Sequence, residues 1–106
     1  MKMSKYFSIT NSGEAALQLT GEISHQSASE AISRLSESIV AHSGKDLAVD
    51  LSGLASVNST VLSVLLTGLR VAKKNSCKLE YNNLSERLYS MARVGGVESI
   101  LTNVDL

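Results

Sequence analysis

The sequence predicts an α/β fold: one domain over residues 1–106, built on a mixed four- to five-stranded sheet with helices packed mainly on one side. Three observations predict it. First, short β-type runs alternate with segments of helical period in the order ββαβαβα plus a tail. Second, strands joined through a helix need a parallel crossover, whereas the first two runs are separated only by turn residues and so pair as a hairpin. Third, 43% of the 106 residues are hydrophobic but only 4% are aromatic, so the core is aliphatic.

Each element has its own signature. KYFSIT, residues 5–10, alternates weakly and predicts the first strand. Asn11, Ser12 and Gly13 are turn chemistry, since Gly13 tolerates positive φ and Asn11 can bond its own backbone. Ala15, Leu17 and Leu19 then alternate, which predicts a second strand over 14–20. The period switches after it. Ala28, Ala31, Ile32, Leu35 and Ile39 recur at three- and four-residue steps along one helical face. Ser27 or Ser29 suits the cap, Glu30 the first turn and Gly44 the stop.

KDLAVDL is apolar between its ends, which suits a central strand, 47–51, buried on both faces. Ser52 and Gly53 turn the chain into a helix over Ser59–Lys74. CKLEY, 77–81, is the fourth strand. A third helix over 85–94 has Ser85 as its cap and Gly95-Gly96 as its stop. ESILTNVDL is a final short helix or an extended tail.

The second helix carries more apolar surface than a surface helix needs. On a wheel of about 100° per residue, Leu62, Leu65, Leu66, Leu69 and Ala72 form the face expected on the sheet. Val61, Val64, Gly68 and Val71 form a second apolar stripe. Thr60, Ser63, Thr67, Arg70 and Lys74 run between the two as a polar flank. The valine stripe packs on another helix, or it is a docking face of short side chains for a partner. Such a face would also suit a homodimer of the isolated chain.

The triplet Asn58, Ser59 and Thr60 opens this helix. Asn58 or Ser59 can cap the unpaired amides of the first turn, the commoner role of such residues. A hydroxyl there is also a favourable place for a phosphate, because free amides and the helix dipole stabilise negative charge.

Other function classes find little support. Ten basic and ten acidic residues sum to zero net charge without a like-charged block, so a nucleic-acid footprint is missing. No stretch predicts a signal peptide or membrane insertion, and a single cysteine excludes an intramolecular disulfide. A cytoplasmic domain is the expectation. His25 and His42 stand alone in serine-rich surroundings. Asp50 suits a cap on the Ser52-Gly53 turn, and Cys77 a small buried hydrophobe. With no metal-ligand spacing and no phosphate-cradling glycine loop, the chain is expected to have no cofactor, no metal and no enzymatic activity.

Three pieces in order resemble the STAS domain family: LTGEI at 19–23, VDLSGLASVNSTVLSVLL at 49–66, and LSERLYSMARVGGVESIL at 84–101. The resemblance implies that the central motif is a recognition site. In anti-sigma factor antagonists its serine is phosphorylated by a partner kinase. In the small STAS subunit of phospholipid-transporting ABC complexes, the motif and its helix contact the ATPase. Ser59 matches the family's Ser/Thr, Asn58 the acid before it, and Leu62 the helix leucine. Asn58 in place of the acid and Val61 in place of the usual glycine disfavour a phospho-switch and favour a standing dock. AKKN, residues 72–75, also resembles the transporter branch. The expected partner is therefore an ABC transporter ATPase subunit, with an anti-sigma factor kinase as the alternative. The expected contact residues are Asn58, Ser59, Thr60, Val61, Ser63, Val64, Gly68 and Val71.

Overall fold

Alternation along the strands sets one wet and one dry face, and the helices close the dry one. The computed structural model describes residues 6–101. In chain order the elements are β1 (Phe7–Gly13), β2 (Ala16–Gly21), α1 (Ala28–Ala41), β3 (Asp46–Leu54), α2 (Ser59–Lys74), β4 (Lys78–Asn82), α3 (Glu86–Val94) and α4 (Glu98–Leu101). The sheet runs β1-β2-β3-β4. β1 and β2 are antiparallel, as the hairpin requires. β2, β3 and β4 are mutually parallel, as helical crossovers require.

Phe7, Leu17, Leu19, Leu47, Val49, Leu51, Leu79 and Tyr81 point to the dry face and are buried. Ala31, Leu35 and Ile39 of α1 join them in one cluster with Val61, Val64 and Leu65 of α2, Leu88 and Ala92 of α3, and Leu101 of α4. Each fully buried leucine or isoleucine contributes about 1.5–3 kcal/mol relative to exposure. The opposite face of the sheet carries Thr10, Gln18, Asp50 and Asn82 in one row across all four strands.

The structure corrects several expectations. β3 is buried on one face only, because Ala48, Asp50 and Ser52 alternate with its buried residues. It also runs through Ser52 and Gly53 to Leu54, since Gly53 still pairs with Thr20 of β2. β1 continues through Asn11, Ser12 and Gly13, and the turn falls at Glu14 and Ala15. Gly13 stays in the strand, outside the left-handed region. Ser27 precedes α1 without capping it; its Oγ accepts instead from the Ser24 amide at 3.0 Å. Ser85 does cap α3, accepting from the Leu88 amide at 3.2 Å. The fourth strand begins one residue later than expected, at Lys78. The final segment contains a short helix, α4, while residue 5 of the first strand and the tail 102–106 lie outside the described residues.

The main correction concerns α2. Val61, Val64 and Gly68 are not a docking face but the core face, together with Leu65 and Ala72. Val71 is half-buried and packs against the core. The reason is space. The Tyr81 side chain rises from β4 and its hydroxyl donates to the Leu65 carbonyl at 2.7 Å. A β-carbon at position 68 would collide with that hydroxyl and with Leu35 of α1. Only glycine lets α2 sit this close to α1 and to β4 at once. The short valines fit beside it. The longer Leu62, Leu66 and Leu69 are displaced to the flank and remain half-buried.

Candidate functional site

The carboxyl ends of β2, β3 and β4 lie at one edge of the sheet, because the three strands are parallel. Open α/β sheets place their working loops at this edge. Here it gathers the segments 22–27, 55–58 and 83–85.

The segment 55–58 is held at three points. The Ala55 amide donates to the Gly21 carbonyl at 2.7 Å. Arg87 of α3 donates from Nε to the Val57 carbonyl at 3.1 Å. Asn58 is the N-cap of α2, in extended backbone, and its Oδ1 accepts from the Val61 amide at 2.9 Å. One of the orphan amides of the first turn is thereby satisfied. The Val61 side chain, fully buried, anchors the same turn in the core. Of the two caps that the sequence allows, Asn58 is the one used, and Ser59 is the first helical residue.

Ser59 is exposed, and its hydroxyl makes no hydrogen bond among the described residues. Ser63, one turn on, is exposed as well, while Asn58 and Thr60 are half-buried. The contact residues expected from the sequence therefore divide. Ser59 and Ser63 lie on the outside with parts of Asn58 and Thr60. Val61, Val64 and Gly68 face inward and cannot touch a partner.

A polar clamp sits beside the site. Asp50 Oδ1 accepts from Asn83 Nδ2 at 2.8 Å and from the Ser52 amide at 3.0 Å, and its Oδ2 accepts from Ser52 Oγ at 3.0 Å. The Asn83 contact and then the two Ser52 contacts hold the carboxyl below its ordinary value of 3.8. Asp50 thus caps the Ser52 backbone as expected and also ties β3 to the loop before α3. Asn83 itself adopts a left-handed φ of 62°, which asparagine tolerates.

Of the remaining residues, His42 has structural partners. His42 places Nδ1 2.8 Å from the Ser38 carbonyl and Nε2 3.5 Å from that of Glu14, which ties the end of α1 to the β1–β2 turn. His25 is exposed on the loop 22–27. Cys77 is buried, and desolvation, with the charge of Asp46, pushes its thiol up, away from the reactive thiolate. Burial pushes the Tyr81 phenol well above its usual range. No group of three or more His, Cys, Asp or Glu among the described residues is placed to hold a metal ion.

Sequence reasoning missed Arg87, Asn83 and the pairing of Gly68 with Tyr81. Asn82-Asn83 is a turn signal that could have marked the clamp. Arg87 carries no such signal, because its partner is a backbone carbonyl 30 residues away.

The molecule can be set against known proteins. No curated protein matches the chain. Among solved structures it is similar to the anti-sigma factor antagonist SpoIIAA in its unphosphorylated form. The two share 14% identity at a TM-score of 0.65, over 87% of this chain and 82% of that one, which is a likeness of fold. The family model described as "Mlab, STAS domain" matches residues 8–102, a span that takes in the site at the edge of the sheet and all of the sheet but Phe7. The chain belongs to the STAS domain family.

Proposed function

We propose that this chain is a non-enzymatic regulatory and assembly subunit that binds the cytoplasmic ATPase of a phospholipid-transporting ABC complex and so serves outer-membrane lipid asymmetry. The observation that carries the reading is the construction of the α2 N-terminus. A segment fixed at Ala55, Val57 and Asn58 leads into a helix that presents two exposed small hydroxyls, Ser59 and Ser63. Such a surface is preorganised, so a protein partner loses little freedom in docking on it. The Mlab description of the matching family model supports the transporter branch. No helix of the described residues is long and apolar enough to cross a membrane.

The test is direct association with the purified ATPase subunit of the same organism. Ser63→Gln adds neutral bulk on the outside without touching the core. Affinity should fall at least about tenfold while thermal unfolding stays unchanged. Unchanged affinity would remove the outer side of α2 from the interface.

A second reading is that of an anti-sigma factor antagonist switched by a kinase. The exposed and unbonded Ser59 hydroxyl favours it. A phosphoryl group there would add close to two negative charges to the docking surface. Intact mass after incubation with an anti-sigma factor kinase decides it, since this reading requires an added phosphate on Ser59.

A further inference from the structure

The outward side of α2 changes character along its length. Ser59 and Ser63 are small and exposed in the first half. Arg70, Lys73 and Lys74 are exposed in the second. Leu66 lies between them, half-buried and, unlike Leu62 and Leu69, not packed against the core cluster. The helix contains no acidic residue at all, although the whole chain is neutral. Its charge is therefore a local excess.

Among the described residues no ion pair neutralises the excess. Arg34 pairs with Glu30 at 3.1 Å and Arg93 with Glu98 at 3.3 Å. Arg70, Lys73 and Lys74 make no ion pair among the described residues. The helix dipole accounts for Lys73 and Lys74 in the last turn, but not for Arg70, because the dipole's effect fades beyond that turn. The three cations continue the line of Ser59, Ser63 and Leu66, since residues three and four apart share a helical face.

We propose that this side of α2 docks an acidic protein surface. The partner's backbone approaches closely over Ser59 and Ser63, an apolar side chain meets Leu66, and carboxylates face Arg70, Lys73 and Lys74. The proposal rests on the docking reading above and adds the charge and polarity of the partner. An anionic membrane fits less well. An interfacial helix carries long apolar or aromatic side chains to insert, whereas this side offers two serines and one half-covered leucine.

The experiment titrates the chain against the purified ABC ATPase subunit and, separately, the anti-sigma factor kinase of the same organism. It compares the natural chain with R70E/K73E/K74E, at about 0.05 and about 0.5 M NaCl. The three side chains are exposed, so the variant should still unfold in one cooperative transition, shifted slightly down because K73E and K74E oppose the helix dipole, and that transition certifies its fold. The expected result is binding to one protein that weakens with salt, that the charge reversal lowers at least about tenfold at low salt, and whose salt dependence the reversal removes. Leu66→Asp should weaken the same complex. Binding with a Kd within about twofold for both chains at both salt concentrations overturns the acidic partner but leaves the docking reading standing. No binding of the natural chain to either protein overturns both. Two further outcomes overturn the proposal. One is charge-dependent binding to phosphatidylglycerol vesicles with protein binding unaffected. The other is self-association of the natural chain that the reversal abolishes, which assigns the cations to a second copy.

Discussion

The two sides of α2 use nearly the same vocabulary of small and aliphatic residues and do opposite things with it. Inside are Val61, Val64, Leu65, Gly68 and Ala72. Outside are Ser59, Ser63 and the cations, with Leu62, Leu66 and Leu69 half-buried on the flank. Hydrophobicity alone ranks the leucines above the valines for the interior, and that ranking is wrong here. What decides is the room left between α2, α1 and β4. The bond from the Tyr81 hydroxyl to the Leu65 carbonyl fixes that distance. At such an approach a glycine and two β-branched residues fit, and a row of leucines does not.

The contrast can be broken most sharply by placing one charge on each side. Val64→Asp buries an unpaired carboxylate and should cost about 3–5 kcal/mol, enough to unfold much of a small domain. Ser63→Asp, one residue away, should change stability by less than about 0.5 kcal/mol. Urea denaturation of the two variants measures the difference directly. Equal and small effects would mean that position 64 is not inside.

Gly68→Ala isolates the spacing. In an exposed helix this change stabilises by about 1 kcal/mol. Here the added methyl meets the Tyr81 hydroxyl and Leu35, so the net effect should be a loss of about 1–3 kcal/mol. The loss should shrink when Tyr81→Phe is made in the same chain, a coupling that a double-mutant cycle reads out. Full additivity would sever the two positions.

A smaller effect belongs to the entrance of the helix. Asn58→Ala removes the bond to the Val61 amide and should cost about 1 kcal/mol. Asn58→Asp keeps the bond and places a negative charge at the helix N-terminus, so it should be neutral or slightly stabilising. A fall in stability for both variants, followed by thermal unfolding, would show that the amide group of Asn58 matters for something other than capping.

The smallest effect is at Asp50. Its folded carboxyl titrates below the ordinary 3.8, so its contribution is complete above that value and is lost as pH falls through the folded one. Asp50→Asn should therefore lower stability slightly at neutral pH and flatten the acid limb of the stability curve. An Asp50→Asn chain with an acid limb parallel to that of the natural one would remove the clamp with Asn83 from the account.

The fold was largely legible because its signals are local. Alternation in ALQLTG, three- and four-residue steps in ASEAISRLSESIVA and a serine cap at 85 each sit in one short stretch. The candidate site was legible only in part. A capped helix start at Asn58 or Ser59, between which the structure decides for Asn58, follows from the order of residues there. Which stripe of α2 turns inward does not, because a helical wheel shows two apolar arcs and carries no information on the neighbour that fills the gap. That neighbour is Tyr81, 13 positions beyond Gly68, and only the sheet brings them together. The same holds for Arg87 and Val57, whose contact depends on α3 folding back beside the loop.

The meeting of Gly68 with the Tyr81 hydroxyl has a consequence for descent as well as for stability. The two positions behave as one inherited character. A lineage in which residue 81 loses its hydroxyl or shrinks becomes free to accept a side chain at 68, whereas a lineage that keeps the tyrosine must keep the glycine. Related chains should therefore fall into two populations at this pair, with few intermediates. The helix that carries Ser59 and Ser63 should stand closer to the sheet in the population that pairs tyrosine with glycine.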